Sequence, residues 1–295
     1  MFFKLFPLSS FYERNTMIKL VTKWVTVALT VFTSISIITS SAFAQGKSTW
    51  EAIKDRGSLR IGVTQAPPWF YKDPAGNEWT GLGSSIGKAM AKELGVKFDP
   101  VEVTWGTSIA ALQANKIDVM FVLDATPKRA LAIDFPAQPL LYYALAVLAD
   151  DDMNIQNWSD LNNSNVKLSV TQGTTMDIFV TKHLPKATIL RFPSNGESVA
   201  AFQSRRVNAV SLFHPPLITM RKKIGRGQIV LPAPVRQSAS SAGVRREADK
   251  TWRDWVNTAI AYYYATGQTQ VWYEDFLKSF DVDPKSVPAI RREDW

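Results

Sequence analysis

The sequence predicts an α/β protein built around parallel β-sheets. Segments typical of strands and segments typical of helices alternate over residues 58–278, which is the pattern of α/β layers. Hydrophobic residues make up 46% of the 295 residues and charged residues only 20%, so the chain can bury a substantial core. Three consecutive aspartates, Asp150 to Asp152, separate two such series. The length allows one large domain or two of ordinary size.

The N-terminal 44 residues are predicted to be a secretory signal peptide. They carry a net charge of +3, and a 15-residue apolar run from Trp24 to Ile38 precedes the small-residue site Ala42-Phe43-Ala44. This order is typical of a signal that is cleaved after Ala44. The run is shorter than the roughly 20 residues that span a bilayer, which argues against a membrane anchor. Residues 17–44 form a complete signal by themselves, so Met1 and Met17 are both possible starts of translation. Export through this signal would place the mature chain in the bacterial periplasm.

The composition excludes several kinds of site. The chain has no cysteine, which rules out disulfides, thiolate metal ligands and a cysteine nucleophile. Its two histidines, His183 and His214, are too few for a histidine-based zinc site, and we expect no metal or other cofactor. The net charge is +8 for the whole chain, but residues 45–295 hold 30 basic and 25 acidic residues and are only mildly basic. An exported protein does not meet the genome, so nucleic acid is not an expected partner.

Each element of the first series is predicted from its apolar pattern and its end signals. Gly95 is expected to end the first helix of this series, because glycine adopts a left-handed cap without strain. The run from Leu140 to Ala149 is the longest apolar stretch of the mature chain and is typical of a buried strand. In chain order, we predict strands over 58–63, 96–103 and 117–122, and helices over 84–94 and 108–114.

The second series repeats the alternation after the three aspartates. We predict strands over 166–170, 187–191 and 208–212, and helices over 174–183, 197–204, 252–265 and 269–278. The helix that begins at Trp252 is expected to end before Gly267. The tryptophans at helical spacing are expected to pack in the core; they are Trp252, Trp255 and Trp272. The three aspartates and the cluster Arg221-Lys222-Lys223 are expected to be solvated surface.

The segment from Asp124 to Arg129 has the features of an anion-binding helix start. Thr126 suits an N-cap and Pro127 suits the first helical position, where its missing N–H costs nothing. A helix that opens here would direct free N–H groups and a positive dipole end outward. Arg129 would add a planar fork of donors that matches a carboxylate. The alternative, an ordinary capped helix with an exposed arginine, stays open on these residues alone.

A second helix start lies at Gly173 and Thr174. Gly173 allows a tight turn after the preceding strand, and Thr174 can cap the following helix. Asp177 stands three residues after Thr174, which favours a capping box as its role. The two helix starts, one in each series, are therefore candidates to hold one ligand between them.

Taken in order, these segments resemble the family 3 periplasmic solute-binding proteins, the polar amino acid receptors of ABC transporters. The resemblance covers nearly all of residues 50–280. It rests on the order and spacing of several short motifs: Leu59-Arg60-Ile61-Gly62-Val63, Pro67-Pro68-Trp69-Phe70, Gly81-Leu82 leading into Ala89-Met90-Ala91-Lys92-Glu93-Leu94-Gly95, Leu112-Gln113-Ala114-Asn115-Lys116-Ile117-Asp118-Val119, Thr126-Pro127-Lys128-Arg129, Asp134-Phe135 and Gly173-Thr174-Thr175.

The resemblance implies a two-lobed periplasmic-binding-protein fold of type II, with two hinge strands and a ligand cleft between the lobes. The first lobe would comprise residues 45–145 and 241–295, and the second lobe residues 146–240. The hinge crossings would lie in Leu140 to Ala149 and in Ser240 to Val244. The implied partners are a small-molecule solute and the membrane permease of an ABC transporter, and the implied state is a monomer.

The resemblance also assigns roles to single residues. It implies that Arg129 forms a bidentate pair with a ligand carboxylate, helped by Thr126. Gly173 and Thr174 would approach the same carboxylate from the other lobe. Trp69 takes the aromatic position that packs against the ligand body, with packing in the core or at the rim as its competing role.

Three departures from the family pattern bear on the ligand. Phe213 stands where the family usually has an aspartate that holds an α-ammonium group, and Gly83 follows Leu82 where an acidic residue is usual. Asp124 stands two residues before Thr126, where the family prefers serine or threonine. Two roles are open to Asp124: it holds a ligand cation, which we favour because a buried acid needs a positive partner, or it pairs with Arg129. An organic acid, an amine-bearing compound and an aromatic solute therefore join an amino acid as candidate ligands.

The first functional hypothesis is non-catalytic capture of a solute and delivery to a permease. Two alternatives share the cleft. One is a ligand-sensing partner of a membrane receptor. The other is an enzyme on the same fold, similar to cyclohexadienyl dehydratase, which needs a proton donor such as Asp124 or Glu197. Glu197 suits a helix start after Pro193-Ser194-Asn195-Gly196 better, and no Ser-His-Asp arrangement is evident.

Overall fold

A computed structural model describes residues 47–73 and 76–294 of the chain. The predicted signal peptide lies outside these residues. Within them the helices are α1 Thr49–Arg56, α2 Leu82–Glu93, α3 Ser108–Gln113, α4 Pro127–Ala130, α5 Thr175–His183, α6 Asn195–Gln203, α7 His214–Ile224, α8 Thr251–Ala265 and α9 Gln268–Ser279. The strands are β1 Ser58–Val63, β2 Tyr71–Lys72, β3 Trp79–Thr80, β4 Lys97–Glu102, β5 Val119–Asp124, β6 Leu141–Ala149, β7 Lys167–Thr171, β8 Thr188–Phe192, β9 Ala209–Phe213, β10 Gln228–Val230 and β11 Gln237–Val244.

The α/β class is confirmed. The main sheet runs in the order β4-β1-β5-β11-β6-β9-β7-β8, and β10 pairs with β6. The pairs β1/β4, β1/β5, β7/β8 and β7/β9 are parallel, as the alternation of strands and helices predicts. The pairs that involve β6 and β11 are antiparallel. Two parallel groups of strands are thus joined by two antiparallel strands in the middle of the sheet.

Strand β11 pairs with β5 of the first group, β6 pairs with β9 of the second group, and β6 and β11 pair with each other. Residues 237–240 of β11 pair with residues 141–144 of β6, whereas residues 240–244 of β11 pair with β5. Farther along β6, residues 145–149 pair with β9. His214 follows β9 directly, and its Nδ1 accepts a hydrogen bond of 3.1 Å from the N–H of Ala144. The buried imidazole of His214 thus accepts a main-chain hydrogen bond from β6 at the point where β6 stops pairing with β11 and starts pairing with β9.

The predicted elements agree with the structure to within a few residues, but the helices α1 and α7 and the short strands β2, β3 and β10 lie outside them. The helix α7 was not predicted, because it opens on His214-Pro215-Pro216 and prolines ordinarily interrupt helices. Here both prolines lie in the first turn, where the N–H that proline lacks would have no helical partner. Gly95 has φ of +67°, as expected for the end of α2.

The core and the surface follow the prediction. Trp252 is fully buried, its indole N–H donates to the carbonyl of Asp118 over 2.9 Å, and its ring stacks on that of Trp255. Trp272 is partly buried against the same core. The side chains of Arg221, Lys222 and Lys223 are exposed.

Candidate functional site

A small cavity of about 40 Å³ lies where the two groups of strands face each other. Its polar wall consists of Asp124, Arg129, Thr174, Thr175 and Asn195. Its aromatic wall consists of Trp69, Trp105, Tyr143 and Phe213. The remaining wall consists of Val122, Leu123, Met176, Leu212 and Pro216. Polar groups converging in an apolar cavity are typical of a small-molecule site.

The cavity is positioned by the ends of strands. β5 is buried along its whole length, and Asp124 is its last residue. On the other side, β7 ends at Thr171, and the turn Gln172-Gly173 leads directly into α5. Both chain segments therefore leave a parallel group of strands at its carboxyl end, where ligands of open α/β sheets bind.

Arg129 lies on a single helical turn. The N–H of Arg129 donates to the side-chain oxygen of Thr126 over 3.2 Å, so Thr126 caps this turn as predicted. The predicted helix start is thus confirmed, but the helix spans only Pro127–Ala130. A dipole needs several aligned peptide units, and four residues provide one turn. What this segment offers an anion is the arginine side chain.

The guanidinium group of Arg129 bridges the two sides of the cavity. Its Nη1 donates to the main-chain oxygen of Asp124 over 3.0 Å, and its Nη2 donates to the main-chain oxygen of Gly173 over 3.3 Å. Among the residues that the structure describes, no carboxylate oxygen lies within 4.0 Å of this guanidinium. The positive charge at the cavity is therefore not neutralised by an ion pair.

Asp124 is buried and hydrogen-bonded. Its carboxylate accepts hydrogen bonds from the hydroxyl of Tyr143 and from the hydroxyl of Thr175, which lies 51 residues away at the start of α5. Its side chain does not pair with Arg129, which contacts the main-chain oxygen instead. That alternative from the sequence is wrong for this structure, since the fork of Arg129 points past the carboxylate to two carbonyls.

Burial governs the titration of this pair. Removal from water raises the pKa of the Asp124 carboxyl above its ordinary value of 3.8, although the hydroxyls of Thr175 and Tyr143 and the charge of Arg129 oppose the rise. Burial, followed by the negative charge of Asp124, raises the pKa of the Tyr143 hydroxyl well above 10.0. Tyr143 therefore stays protonated and acts as a donor.

The turn before α5 brings Gly173 and Thr174 to the cavity. Gly173 has φ of +75°, and a Cβ at this position would lie 3.1 Å from the Cα of Gly106. Thr174 caps α5 by accepting from the N–H of Asp177 over 3.3 Å. The carboxylate of Asp177 accepts from the N–H of Gly173, at 3.2 Å, and not from that of Thr174. The predicted capping box is therefore displaced by one residue, because Gly173 turns its own N–H toward the helix.

The aromatic residues enclose the cavity. Trp69 is only 2% exposed, and its ring lies 5.9 Å from that of Tyr143 and 6.1 Å from that of Tyr273. Trp69 thus packs in the core and lines the cavity at the same time. Phe213 ends β9, and its ring centroid lies 3.6 Å from that of Tyr143.

The structure brings together the seven residues predicted for the site. Asp124, Arg129, Trp69, Thr174 and Phe213 line the cavity. The other two contact Arg129: the side-chain oxygen of Thr126 accepts from its main-chain N–H, and the carbonyl of Gly173 accepts from its guanidinium. Proximity is established for these residues, and their roles toward a ligand stay predictions.

Sequence reasoning missed Trp105, Tyr143, Thr175 and Asn195. Of these, only Thr175 carried a local signal, since it adjoins Thr174. Tyr143 sits in a strand that the sequence presents as apolar, and its hydroxyl meets Asp124 only through the pairing of β6 with β11. Glu197, considered as a proton donor, is exposed in the first turn of α6, where Ser194 caps its N–H, and it does not line the cavity.

Neither a metal cluster nor a membrane-spanning helix is found among residues 47–73 and 76–294. They contain no group of three or more histidine, cysteine, aspartate or glutamate side chains that could hold a metal ion. None of the helices in this part of the chain is both long enough and apolar enough to cross a membrane.

The profile of the bacterial extracellular solute-binding proteins, family 3, matches residues 59–279. The chain belongs to this family. Sequence comparison aligns this family 3 protein with a probable amino-acid ABC transporter periplasmic-binding protein, y4tE, of Sinorhizobium fredii. The two are 22% identical over 274 residues, which is 88% of each chain.

Two solved structures share the fold of this family 3 protein. A cysteine-binding protein from Campylobacter jejuni aligns with a TM-score of 0.73 and 28% identity, over 83% of this chain and 100% of that one. The ancestral amino acid-binding protein AncCDT-1, a precursor of cyclohexadienyl dehydratase, aligns with a TM-score of 0.70 and 31% identity, over 78% and 99%. The type II periplasmic-binding-protein fold is thus confirmed.

Proposed function

We propose that this protein captures a small amino-acid-like or carboxylate-bearing solute and delivers it unaltered to the membrane permease of an ABC transporter. The observation that carries the proposal is the guanidinium of Arg129, which lies at the cavity wall with two carbonyls as its partners and with no carboxylate oxygen of the described residues within 4.0 Å. A cation held in this way gains a partner when an anion binds. The family and its relatives support delivery to a permease.

We assign the first lobe to residues 45–145 and 241–295 and the second to residues 146–240. The pairing of β11 with β5, of β6 with β9 and of β6 with β11 supports this division, because those two strands are where the chain passes from one group to the other. The cavity lies between residues of both proposed lobes. A ligand that touches both sides would favour their closed arrangement, which is the physical basis of capture.

Within the cleft, Arg129 and Thr126 would hold the carboxylate from the first lobe, and Gly173 and Thr174 would approach it from the second. Trp69 and Phe213 would pack against the ligand body. Asp124 would face a cationic group of the ligand. The donors of Arg129 now spent on two carbonyls would turn to the carboxylate in a bidentate pair.

Export through a cleavable signal peptide would place this protein in the periplasm as a monomer, with no nucleic acid and no cofactor as partner. The periplasmic relatives support this location. Sensing through a membrane receptor would use the same cleft and differ only in the downstream partner.

An enzymatic function is the second candidate, because Asp124 is a buried acid with a raised pKa in the cavity. Such a group can serve as a general acid. We place it second, since the carboxylate accepts two hydroxyl bonds in this structure and so has no proton directed at the cavity.

The test is a thermal-shift screen of the exported protein against amino acids, organic acids and amines, followed by calorimetry of the compounds that raise the melting temperature. Each binder is then incubated with the protein and recovered. We expect a carboxylate-bearing compound to bind at one site and to be recovered unchanged. Conversion of the compound to a product would favour the enzyme, and binding of only carboxylate-free compounds would contradict the proposal.

A further inference from the structure

The charges in the cavity match a zwitterion. Asp124 is the one acid and Arg129 the one base among the lining residues, all of which belong to the described part of the chain. The carboxylate and the guanidinium do not pair with each other, so neither side chain compensates the other. Burying a ligand with one negative and one positive group leaves both protein charges compensated.

The carboxylate and amide acceptors of the cavity wall already accept hydrogen bonds from the protein. A primary ammonium has three N–H donors, and each needs an acceptor once it is buried. The carboxylate oxygens of Asp124 already accept from Tyr143 and Thr175, and Oδ1 of Asn195 already accepts from Thr171 over 2.7 Å. On the second lobe, Phe213 at the end of β9 lines the cavity, and its ring accepts no ordinary hydrogen bond.

The same wall is well suited to a cation without N–H groups. Trp69, Trp105, Tyr143 and Phe213 all line the cavity, and the ring centroid of Tyr143 lies 3.6 Å from that of Phe213 and 5.9 Å from that of Trp69. The faces of aromatic rings attract cations, and sites of several rings bind alkylated ammonium groups in this way. One buried carboxylate beside them supplies the opposite charge.

We therefore infer that the ligand is a betaine-like zwitterion, in which alkyl groups replace the N–H groups of an amino acid. Arg129 would bind its carboxylate, and Asp124 with the aromatic wall would bind its alkylated nitrogen. This inference rests on the proposed function, since it takes the carboxylate contact to Arg129 as given, and it specifies the other end of the ligand.

The test uses ligand pairs that differ in N-methylation alone. Calorimetry would compare glycine betaine with glycine, N,N-dimethylproline with proline, and N,N,N-trimethylphenylalanine with phenylalanine, all with protein exported from the full chain. As an uncharged control, 3,3-dimethylbutanoate has the shape of glycine betaine with carbon in place of the nitrogen. We expect the methylated member of the best-binding pair to bind at least about tenfold more tightly than its parent and than the uncharged control.

Two kinds of variant test the residues. Phe213→Asp adds an acceptor for N–H groups and removes a ring, so it should reverse the preference within each pair. Trp69→Leu removes a ring that Trp69→Phe retains, and it should reduce the preference more than Trp69→Phe does. If Phe213→Asp does not fold, the comparison of Trp69→Leu with Trp69→Phe tests whether the aromatic wall binds the alkylated nitrogen.

The outcomes separate this inference from the proposed function. Two results would show that only the betaine inference is wrong, provided that the binding is lost in Arg129→Ala. In the first, parent amino acids bind as tightly as their methylated forms. In the second, 3,3-dimethylbutanoate binds as tightly as glycine betaine. If no carboxylate binds in a manner that depends on Arg129, the proposed function is wrong as well. Stronger binding of the methylated members, reversed in Phe213→Asp, would support the inference.

Discussion

The hydroxyl of Tyr143 donates a hydrogen bond to the carboxylate of Asp124, and both groups are buried at the cavity. Tyr143 lies in β6, and Asp124 ends β5, two strands that do not pair with each other. β11 lies between them, with Ser240 opposite Asp124 and Ser238 opposite Tyr143. A strand that joins the two halves of the sheet thus also fixes the main acid of the candidate site.

Replacement of Arg129 by alanine should abolish binding of any carboxylate-bearing ligand. A bidentate pair supplies two charge-assisted hydrogen bonds of about 1.5–3 kcal/mol each, so affinity should fall by at least about 100-fold in calorimetry. Lys128→Ala is the matched control, because Lys128 is exposed in the same turn and does not line the cavity. Equal affinities of the two variants would contradict the carboxylate role of Arg129.

Replacement of Asp124 by asparagine should separate ligand classes. The change removes a buried negative charge, so it should weaken a ligand with a cationic group and strengthen a purely anionic one. Calorimetry with a zwitterion and with a carboxylate of the same shape measures both effects in one variant. If neither affinity changes, Asp124 serves the fold and not the ligand.

The same substitution should change how stability depends on pH. Because burial raises the pKa of Asp124 in the folded state, the folded protein holds this proton more tightly than the unfolded chain. That contribution to stability is present below about pH 3.8 and is lost as the pH rises through the raised value. Urea denaturation from pH 4 to pH 7 should therefore show Asp124→Asn gaining stability relative to the parent as the pH rises. A constant difference would show that the pKa of Asp124 is the same in both states.

His214 should produce the opposite pH dependence. Burial lowers its pKa to about 4 from an ordinary value of 6.5, and the neutral ring accepts the N–H of Ala144. The unfolded chain binds this proton more readily, so the contribution to stability is present above pH 6.5 and is lost as the pH falls toward 4. We expect a loss of about 3 kcal/mol between pH 7 and pH 4, measured by urea denaturation. His214→Gln should show a shallower dependence over this interval, and an unchanged slope would refute the assignment.

Replacement of Gly173 by alanine should weaken binding beyond its effect on stability. A residue other than glycine at a positive φ costs of the order of 1 kcal/mol, and the added Cβ would also press on the Cα of Gly106 at 3.1 Å. Gly225→Ala is the matched control, with φ of +74° and no atom within 4 Å of its Cβ. Both variants should lose stability, but only Gly173→Ala should lose affinity. Equal affinities would show that the contact between Gly173 and Gly106 does not matter for the ligand.

Local patterns in the chain were sufficient to predict the class of fold, the order of most of its elements and the residues of two capped turns at the site. The apolar run of β5, the cap at Thr126 and the turn at Gly173 depend on residues a few positions apart, and their backbone preferences act before the chain folds. The length of α4 and the omission of α7 show the limit of these signals, since tertiary packing decides whether a short helix continues.

The sequence by itself determined that Thr126 and Thr174 would cap two turns and that Arg129 would lie on the first of them. Only the tertiary structure decided that Tyr143 and Thr175 donate to Asp124 and that Arg129 reaches the carbonyl of Gly173, 44 residues away. The physical reason is that hydrogen bonds between distant residues depend on strand pairing and on the approach of the two sides of the cavity. Patterns of neighbouring residues in the sequence predict neither the pairing nor the approach.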